Sequence, residues 1–355
     1  MSFQTAGGSA MPSVTVSGGT ALSKTIVAPT KAASGGTTYY FGDWYTVDAA
    51  TGHTGKTKYD YTKPVTGNMT LYARWYTEQP ADKAALKVLI TTLGDTADLN
   101  HIDVRKVTDL SQLFKDQYTF NGDVSGWDVS NVKNMEEVFR SAAAFSQLIG
   151  DWDVSGATNM YAMFRFAKEF NQPIGAWNVS NVENMWGMFH GAVKFNQPIG
   201  SWNVSNVKNM KSMFSEAKAF NQPIEAWDVS NVANITYMFN SASKFNQPIE
   251  GWNISDSATS MLGLFRLAGE FNQPIEAWDV SNVENMAYMF NQAPAFNQPI
   301  GAWNVSKVGN MEYMFNQARV FDQDISGWTV TQVNDYTDIF KDSGIGLTHR
   351  PLRFR

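Results

Sequence analysis

The sequence contains no cysteine, which removes disulfides, thiolate metal sites and cysteine nucleophiles together. Histidine is nearly as scarce. The four are His53, His101, His190 and His349, and none has a second histidine or a carboxylate at metal-ligand spacing. Charged residues make up only 17% of the chain, and no apolar run reaches the roughly 18 residues needed to span a membrane. The opening stretch MSFQTAGGSAMPSVTVSGG lacks a basic n-region and an apolar h-region, so it is not expected to act as a secretion signal. Phosphate-binding loops of the form G-x-x-x-x-G-K-[ST] are missing too, and the many serines sit in a repeated turn rather than a nucleophile elbow. Neither an enzyme nor a cofactor is expected.

Charge points the same way. The net charge of -6 repels a polyanion on average, so nucleic acid is not an expected partner. Residues 1–100 hold eight Lys/Arg and seven Asp/Glu, leaving 19 against 26, or -7, for the remainder. The acidity therefore belongs to the C-terminal part, where the sequence also becomes periodic.

Tryptophan recurs at Trp127, Trp152, Trp177, Trp202, Trp227, Trp252, Trp278, Trp303 and Trp328, always 25 residues apart except for a single 26 between Trp252 and Trp278. One step back lies His101-Ile102-Asp103-Val104, the same local pattern without its aromatic, so about ten rungs are expected. Within one rung, Trp177 and Val179 alternate with Asn178 and Ser180, the two-residue period of a short strand. Met185, Met188, Phe189, Ala192 and Phe195 then fall at i, i+3, i+4, i+7 and i+10, the stripe of a short helix. Asn184, recurring in most rungs, stands where it would cap that helix, and the Pro198 side of Phe195-Asn196-Gln197-Pro198 would end it. One such unit cannot bury its own stripe, so units must stack. The expected fold is an α+β repeat solenoid, leucine-rich-repeat-like, with a short strand plus a short helix per 25-residue rung.

Stacking turns equivalent residues into columns. Asn171, Asn196, Asn221, Asn246, Asn272 and Asn297 form an amide ladder able to bond rung to rung, and the nine tryptophans form a second structural ladder. The extra residue within 253–261 is expected to be a bulge in a turn.

The signature Trp-(Asp/Asn)-Val-Ser-Asn-Val-x-Asn-Met-x-x-Met-Phe, followed by Ala-x-x-Phe-Asn-Gln-Pro-Ile, closely resembles the BspA-like surface-protein family in its mycoplasma-type, 25-residue leucine-rich-repeat variety. The resemblance covers about 85–345. It implies a surface-exposed, adhesin-like binding protein without catalytic activity. Ahead of it, Tyr39-Tyr40-Phe41-Gly42-Asp43-Trp44-Tyr45 and the run Tyr59 to Trp75 resemble the Listeria-Bacteroides repeat of the internalin B-repeat type, a small β-grasp-like module of bacterial surface proteins. Asp43 is extra relative to that motif, which suggests a rebuilt turn. β-Branched and aromatic runs between Gly, Asn and Pro turns independently suggest three or four strands around Trp44, Tyr72 and Trp75. The expected organisation is a flexible Gly/Ser/Thr-rich lead at 1–22, the β-grasp-like module at 23–77, an N-terminal cap at 78–100 with an amphipathic helix near 81–93, the ten-rung array at 101–345, and a tail at 346–355.

Candidate binding residues come from what varies between rungs. Just after the first Met of each stripe, Tyr161, Trp186, Tyr237, Tyr288 and Tyr313 replace small or charged residues. Large aromatics with few rotamers suit a recognition surface; the competing reading is that they cover the helix flanks. The column of Arg140, Arg165, His190, Ser215 and Asn240 reads as solvated. Glu225, Glu250 and Glu276 occupy one column in adjacent rungs, either splayed into water or bridged by calcium, although no calcium loop motif accompanies them. The expected function is an extracellular or cell-surface adhesin for a host or neighbouring-cell protein or glycan, its oligomeric state open. The alternatives are a phage or injection-machine tail-tip adhesin and a structural spacer.

Overall fold

The computed structural model describes residues 1–16, 19, 21–22, 26, 28–47, 54–254 and 258–355. His53 and the centre of the expected 253–261 bulge lie outside them. The N-terminal part is a four-stranded sheet of β1 (Ser2–Gln4), β2 (Tyr40–Val47), β3 (Thr54–Lys58) and β4 (Thr70–Tyr76), in the order β1-β4-β2-β3. β1 runs parallel to β4, and β2 runs antiparallel to both β4 and β3. Its core holds Trp44 and Leu71, with Tyr59, Val65 and Leu22 around them.

Two expectations change here. Residues 1–22 are not simply a flexible lead, because β1 extends the sheet, Phe3 packs on Trp44 at 4.8 Å, and the Trp75 indole donates to Thr5 O at 2.8 Å. The extra Asp43 rebuilds no turn. It is taken up in a β-bulge of β2, between Phe41 opposite Trp75 and Asp43 opposite Arg74. Gly42 makes the bulge possible, since a Cβ there would stand 2.5 Å from the Tyr76 ring.

Helix α1 (Lys83–Leu93) follows, within the expected 78–100 cap. Asp82 caps it by accepting from Ala85 N at 2.9 Å, and Leu86 and Ile90 bury its apolar side against the first rung. The sheet and the array are joined by polar contacts. Arg105 donates to the carbonyls of Phe41 and Gly42 and to the buried carboxylate of Asp103, which also accepts from Gln79 at 2.6 Å. Lys58 pairs with Asp128 at 2.9 Å. Burial alone would raise the Asp103 carboxyl; the hydrogen bonds from Arg105 and Gln79 outweigh it and hold the group below its ordinary value.

The rungs themselves contain neither the expected helix nor the expected Trp-x-Val strand among the described residues. Each apolar stripe is instead a run of tandem β-turns. Met188, His190 and Ala192 N donate three residues back to Met185, Gly187 and Phe189 O. The intervening N–H groups of Met185, Gly187, Phe189 and Gly191 donate forward, to Asn209, Lys211, Met213 and Ser215 O of the next rung, at 2.8–2.9 Å. Trp186 N goes to the Asn184 side-chain oxygen at 3.1 Å, so that column of asparagines closes Asx-turns rather than capping helices. Every amide from 185 to 192 is thereby paired.

This scheme requires two left-handed residues per rung, four apart, as a type II turn does at its third position. They occur in all ten rungs, at Gln112 and Asp116 (φ 60° and 59°) in the first and at Asp338 and Asp342 (48° and 57°) in the last. Parallel single-residue bridges such as Asn184 with Asn209 keep the register.

Side chains lock the same register. Each tryptophan indole donates one rung back to the carbonyl just ahead of the previous turn, as Trp202 does to Ile174 O at 3.1 Å. Neighbouring indoles stack, Trp177 on Trp202 at 6.5 Å and 3°. Two phenylalanine columns fill the interior, with Phe189 against Phe195 at 3.9 Å within a rung and Phe189 against Phe214 at 5.7 Å between rungs. In the asparagine ladder, Asn171 Oδ1 accepts from Asn196 N at 2.9 Å and from Gln197 Nε2 at 3.0 Å, and the contact repeats through Asn297. Residues 346–355 are not a loose tail: Phe354 is buried against Tyr336 and Phe340, and Arg353 donates to Val330 O and Thr331 O at 3.0 Å, so they cover the last rung.

Two outcomes follow for stability. Ser241 is left-handed at φ 59°; Ser241→Gly is expected to stabilise the chain by about 0.5–1 kcal/mol and Ser241→Val to destabilise it by about 1–2 kcal/mol, read by urea unfolding. A helical rung would reverse the sign for glycine. Arg105→Met leaves the Asp103 carboxylate buried and is expected to cost about 3 kcal/mol or more at neutral pH. The depressed Asp103 contributes stability above its unfolded value near 3.9, lost as pH falls through the folded value. Removing Arg105 raises that folded value, so acid unfolding followed by circular dichroism should begin at a higher pH.

Candidate functional site

The tandem turns decide which side chains leave the core. In the rung 159–167, Met160, Met163, Phe164 and Ala167 are fully buried, whereas Tyr161, Arg165 and Phe166 are half-exposed. The outer positions are the two left-handed residues of each rung and the residue before each, although small residues there, such as Ala162, Gly187 and Ser212, are themselves buried. Four columns therefore run along one face of the stack.

The five candidate aromatics do not share one column. Tyr161 and Trp186 precede the first left-handed residue, whereas Tyr237, Tyr288 and Tyr313 are themselves left-handed, at φ 57°, 58° and 52°. They sort into two patches. Tyr161 and Trp186 stack face to face, 4.5 Å apart and within 7° of parallel. Tyr288 and Tyr313 stack at 5.1 Å, and Tyr237 leans toward them across Gly263, where a Cβ would lie 2.3 Å from its ring. Burial, then a 2.9 Å hydrogen bond to Glu312, push the Tyr288 phenol up to about 12.

Around the first patch lie residues that the sequence reading treated as solvated. The Arg165 guanidinium rests over Trp186 at 5.1 Å and over Phe166 at 5.0 Å. Phe166 lies across Gly191, where a Cβ would stand 2.3 Å from its ring, and meets His190 edge-on at 4.9 Å. The His190 side chain is only 15% exposed, with Nε2 3.6 Å from Glu216. Burial first, and then Arg165, hold the His190 imidazole below its ordinary value. One rung earlier Glu137 is almost fully buried, accepting from Lys115 at 2.7 Å and from Arg140. Burial would raise the Glu137 carboxyl, but these two partners hold it down. The readable signal was in the two turn columns, where Gly187, Gly191 and Gly263 share positions with Phe166 and Tyr237.

Glu225, Glu250 and Glu276 are exposed on the turn ahead of each tryptophan. Among the described residues no three His, Asp or Glu side chains are grouped so as to hold a metal ion, so the acidic column is not gathered into a cation site. A cleft of about 560 Å³ lies between the sheet and the first rungs, lined by Tyr72, Arg74, Trp75, Asn100, Asp123 and Asp151. Arg74 is wedged there over the Tyr45 and Tyr76 rings and donates to Asn100 O at 3.1 Å, so this cleft is the seam of the junction.

Compared with known proteins, residues 87–194, 167–262 and 256–345 match the family described as Mycoplasma protein of unknown function, DUF285. Residues 1–74 match the Listeria-Bacteroides repeat domain. Repeats of these kinds are typical of bacterial surface proteins. No curated protein matches the chain.

Proposed function

The chain belongs to the family described as Mycoplasma protein of unknown function, DUF285, and on that premise we propose that it is a non-enzymatic surface or extracellular binding protein of the BspA-like, adhesin type. Its repeat part is a rigid solenoid of the leucine-rich-repeat kind, and the four outer turn columns are its recognition face. One observation carries this reading. Rungs with nearly identical cores differ on that face, and the difference concentrates aromatic and guanidinium side chains into two patches, the residue types that dominate binding hot spots. A spacer has no use for such unevenness, because burial needs only the inner columns.

Rigid presentation supplies the mechanism. The side chains are already ordered by stacking on one another, so little rotamer freedom is lost on binding, and two patches on one stack can engage one partner together. The partner is a protein or glycan of a host or neighbouring cell. Purified chain screened on immobilised matrix proteins and a glycan array is expected to bind saturably, and Tyr161→Ala/Trp186→Ala/Tyr237→Ala to weaken that binding by at least about ten-fold. Circular dichroism should be unchanged, since all three side chains lie outside the core. Undiminished binding by the triple variant would remove the face from the account, and silence on both arrays would favour the spacer.

A further inference from the structure

Five buried side-chain nitrogen or oxygen atoms have no hydrogen-bond partner among the described residues, and three of them, Arg140 Nε, Arg165 Nε and His190 Nδ1, lie side by side in successive rungs of the first patch. The other two, Trp44 Nε1 and Tyr59 Oη, belong to the sheet. Arg165 is the extreme case. Arg140 is engaged by Glu137 and His190 faces Glu216, but Arg165 forms no ion pair and no side-chain hydrogen bond among the described residues. Its guanidinium is held only by the Trp186 and Phe166 rings. A planar fork of donors, fixed by stacking and left without an acceptor, is a receptor for a carboxylate.

Building on the recognition-face reading, we propose that Arg165, clamped between Trp186 and Phe166, is an anchor for the carboxylate of an aspartate or glutamate on a protein partner. Two features support this. Burial and the neighbouring Arg140 charge disfavour the Arg165 cation, so a bound anion relieves a cost the free protein carries. The Tyr161 and Trp186 faces are turned toward each other, which takes one face of each ring from solvent and sets the guanidinium beside the pair. The net charge of -6 opposes an acidic segment on average, so its capture depends on the local geometry around Arg165 and not on the overall field.

The test uses the full chain and a fluorescein-labelled peptide of alternating glycine and glutamate, with the glycine-glutamine peptide as its neutral twin, followed by anisotropy. The glutamate peptide is expected to bind and its twin not to. Arg165→Met should weaken binding roughly ten- to a hundred-fold, the loss of a charge-assisted bidentate contact. Arg165→Lys should restore little of it, because an ammonium cannot offer the paired donors. Arg319→Met, a change of equal charge elsewhere on the stack, should have no effect. Equal binding of the two peptides, an Arg165→Met protein that binds as well as the parent, or Arg165-dependent capture of a uronic-acid oligosaccharide in place of the peptide would each overturn the anchor. If a protein ligand from the array is lost with Tyr161→Ala and Trp186→Ala but kept with Arg165→Met, the recognition face stands and the anchor alone falls.

Discussion

Every second amide of the turn segment points at the next rung. Met185, Gly187, Phe189 and Gly191 hand their hydrogen bonds forward to carbonyls 24 residues on, while the amides between them close turns within the rung. A chain can alternate in this way by passing through the left-handed region at alternate turns, here at 187 and 191, which costs an L-residue about 1–2 kcal/mol. The array accepts that cost twice per rung, with Gln, Glu, Ser, Tyr, Leu, Phe and Asp all serving at these positions. What offsets it is a continuous buried interior of two phenylalanines, two methionine-sized side chains, an alanine and, after the first rung, a tryptophan per rung, with the phenylalanines stacked rung on rung. Neither the backbone pairing nor the packing exists for one rung alone, so stability is a property of neighbours.

The same constraint determines the face. Because left-handed residues recur every fourth position, side chains leave the core in pairs, and the pairs of successive rungs form straight columns. An aromatic side chain then meets its neighbour only if the adjacent rung offers an aromatic partner or a glycine. Tyr161 has Trp186, Tyr288 has Tyr313, and Tyr237 and Phe166 have Gly263 and Gly191 to lie across. Variation between rungs is thus coordinated in twos, as a surface assembled for contact would require.

Much of this was legible in the sequence, and the misreadings have a common cause. The period, the tryptophan and asparagine columns and the helix near 81–93 follow from spacing alone, because they depend on which residues recur and not on backbone conformation. The rung helix was misread because tandem turns bury positions one, four, five and eight, the spacing of an amphipathic helix. Only the sign of φ separates the two, and its trace was the pair Gly187 and Gly191, which a helix interior would tolerate poorly. The short strand was misread for a related reason: Trp177 and Val179 do both face inward, but Ser180 N is satisfied by the Asn178 side chain at 3.1 Å instead of by a neighbouring strand. Arg165 and His190 escaped notice as site residues because their column varies from rung to rung, which reads as solvated surface, whereas the structure packs Arg165 over Trp186 and Phe166 against His190.

The forward-pointing amides are the claim on which the rest depends, and through-hydrogen-bond scalar couplings measured by NMR on deuterated protein report them directly. The account predicts couplings from the amides of Gly187 and Phe189 to the carbonyls of Lys211 and Met213, together with three-residue couplings such as His190 to Gly187. Couplings running four residues back within each rung, from Phe189 to Met185, would mean helical rungs and would contradict both the ladder and the face built on it.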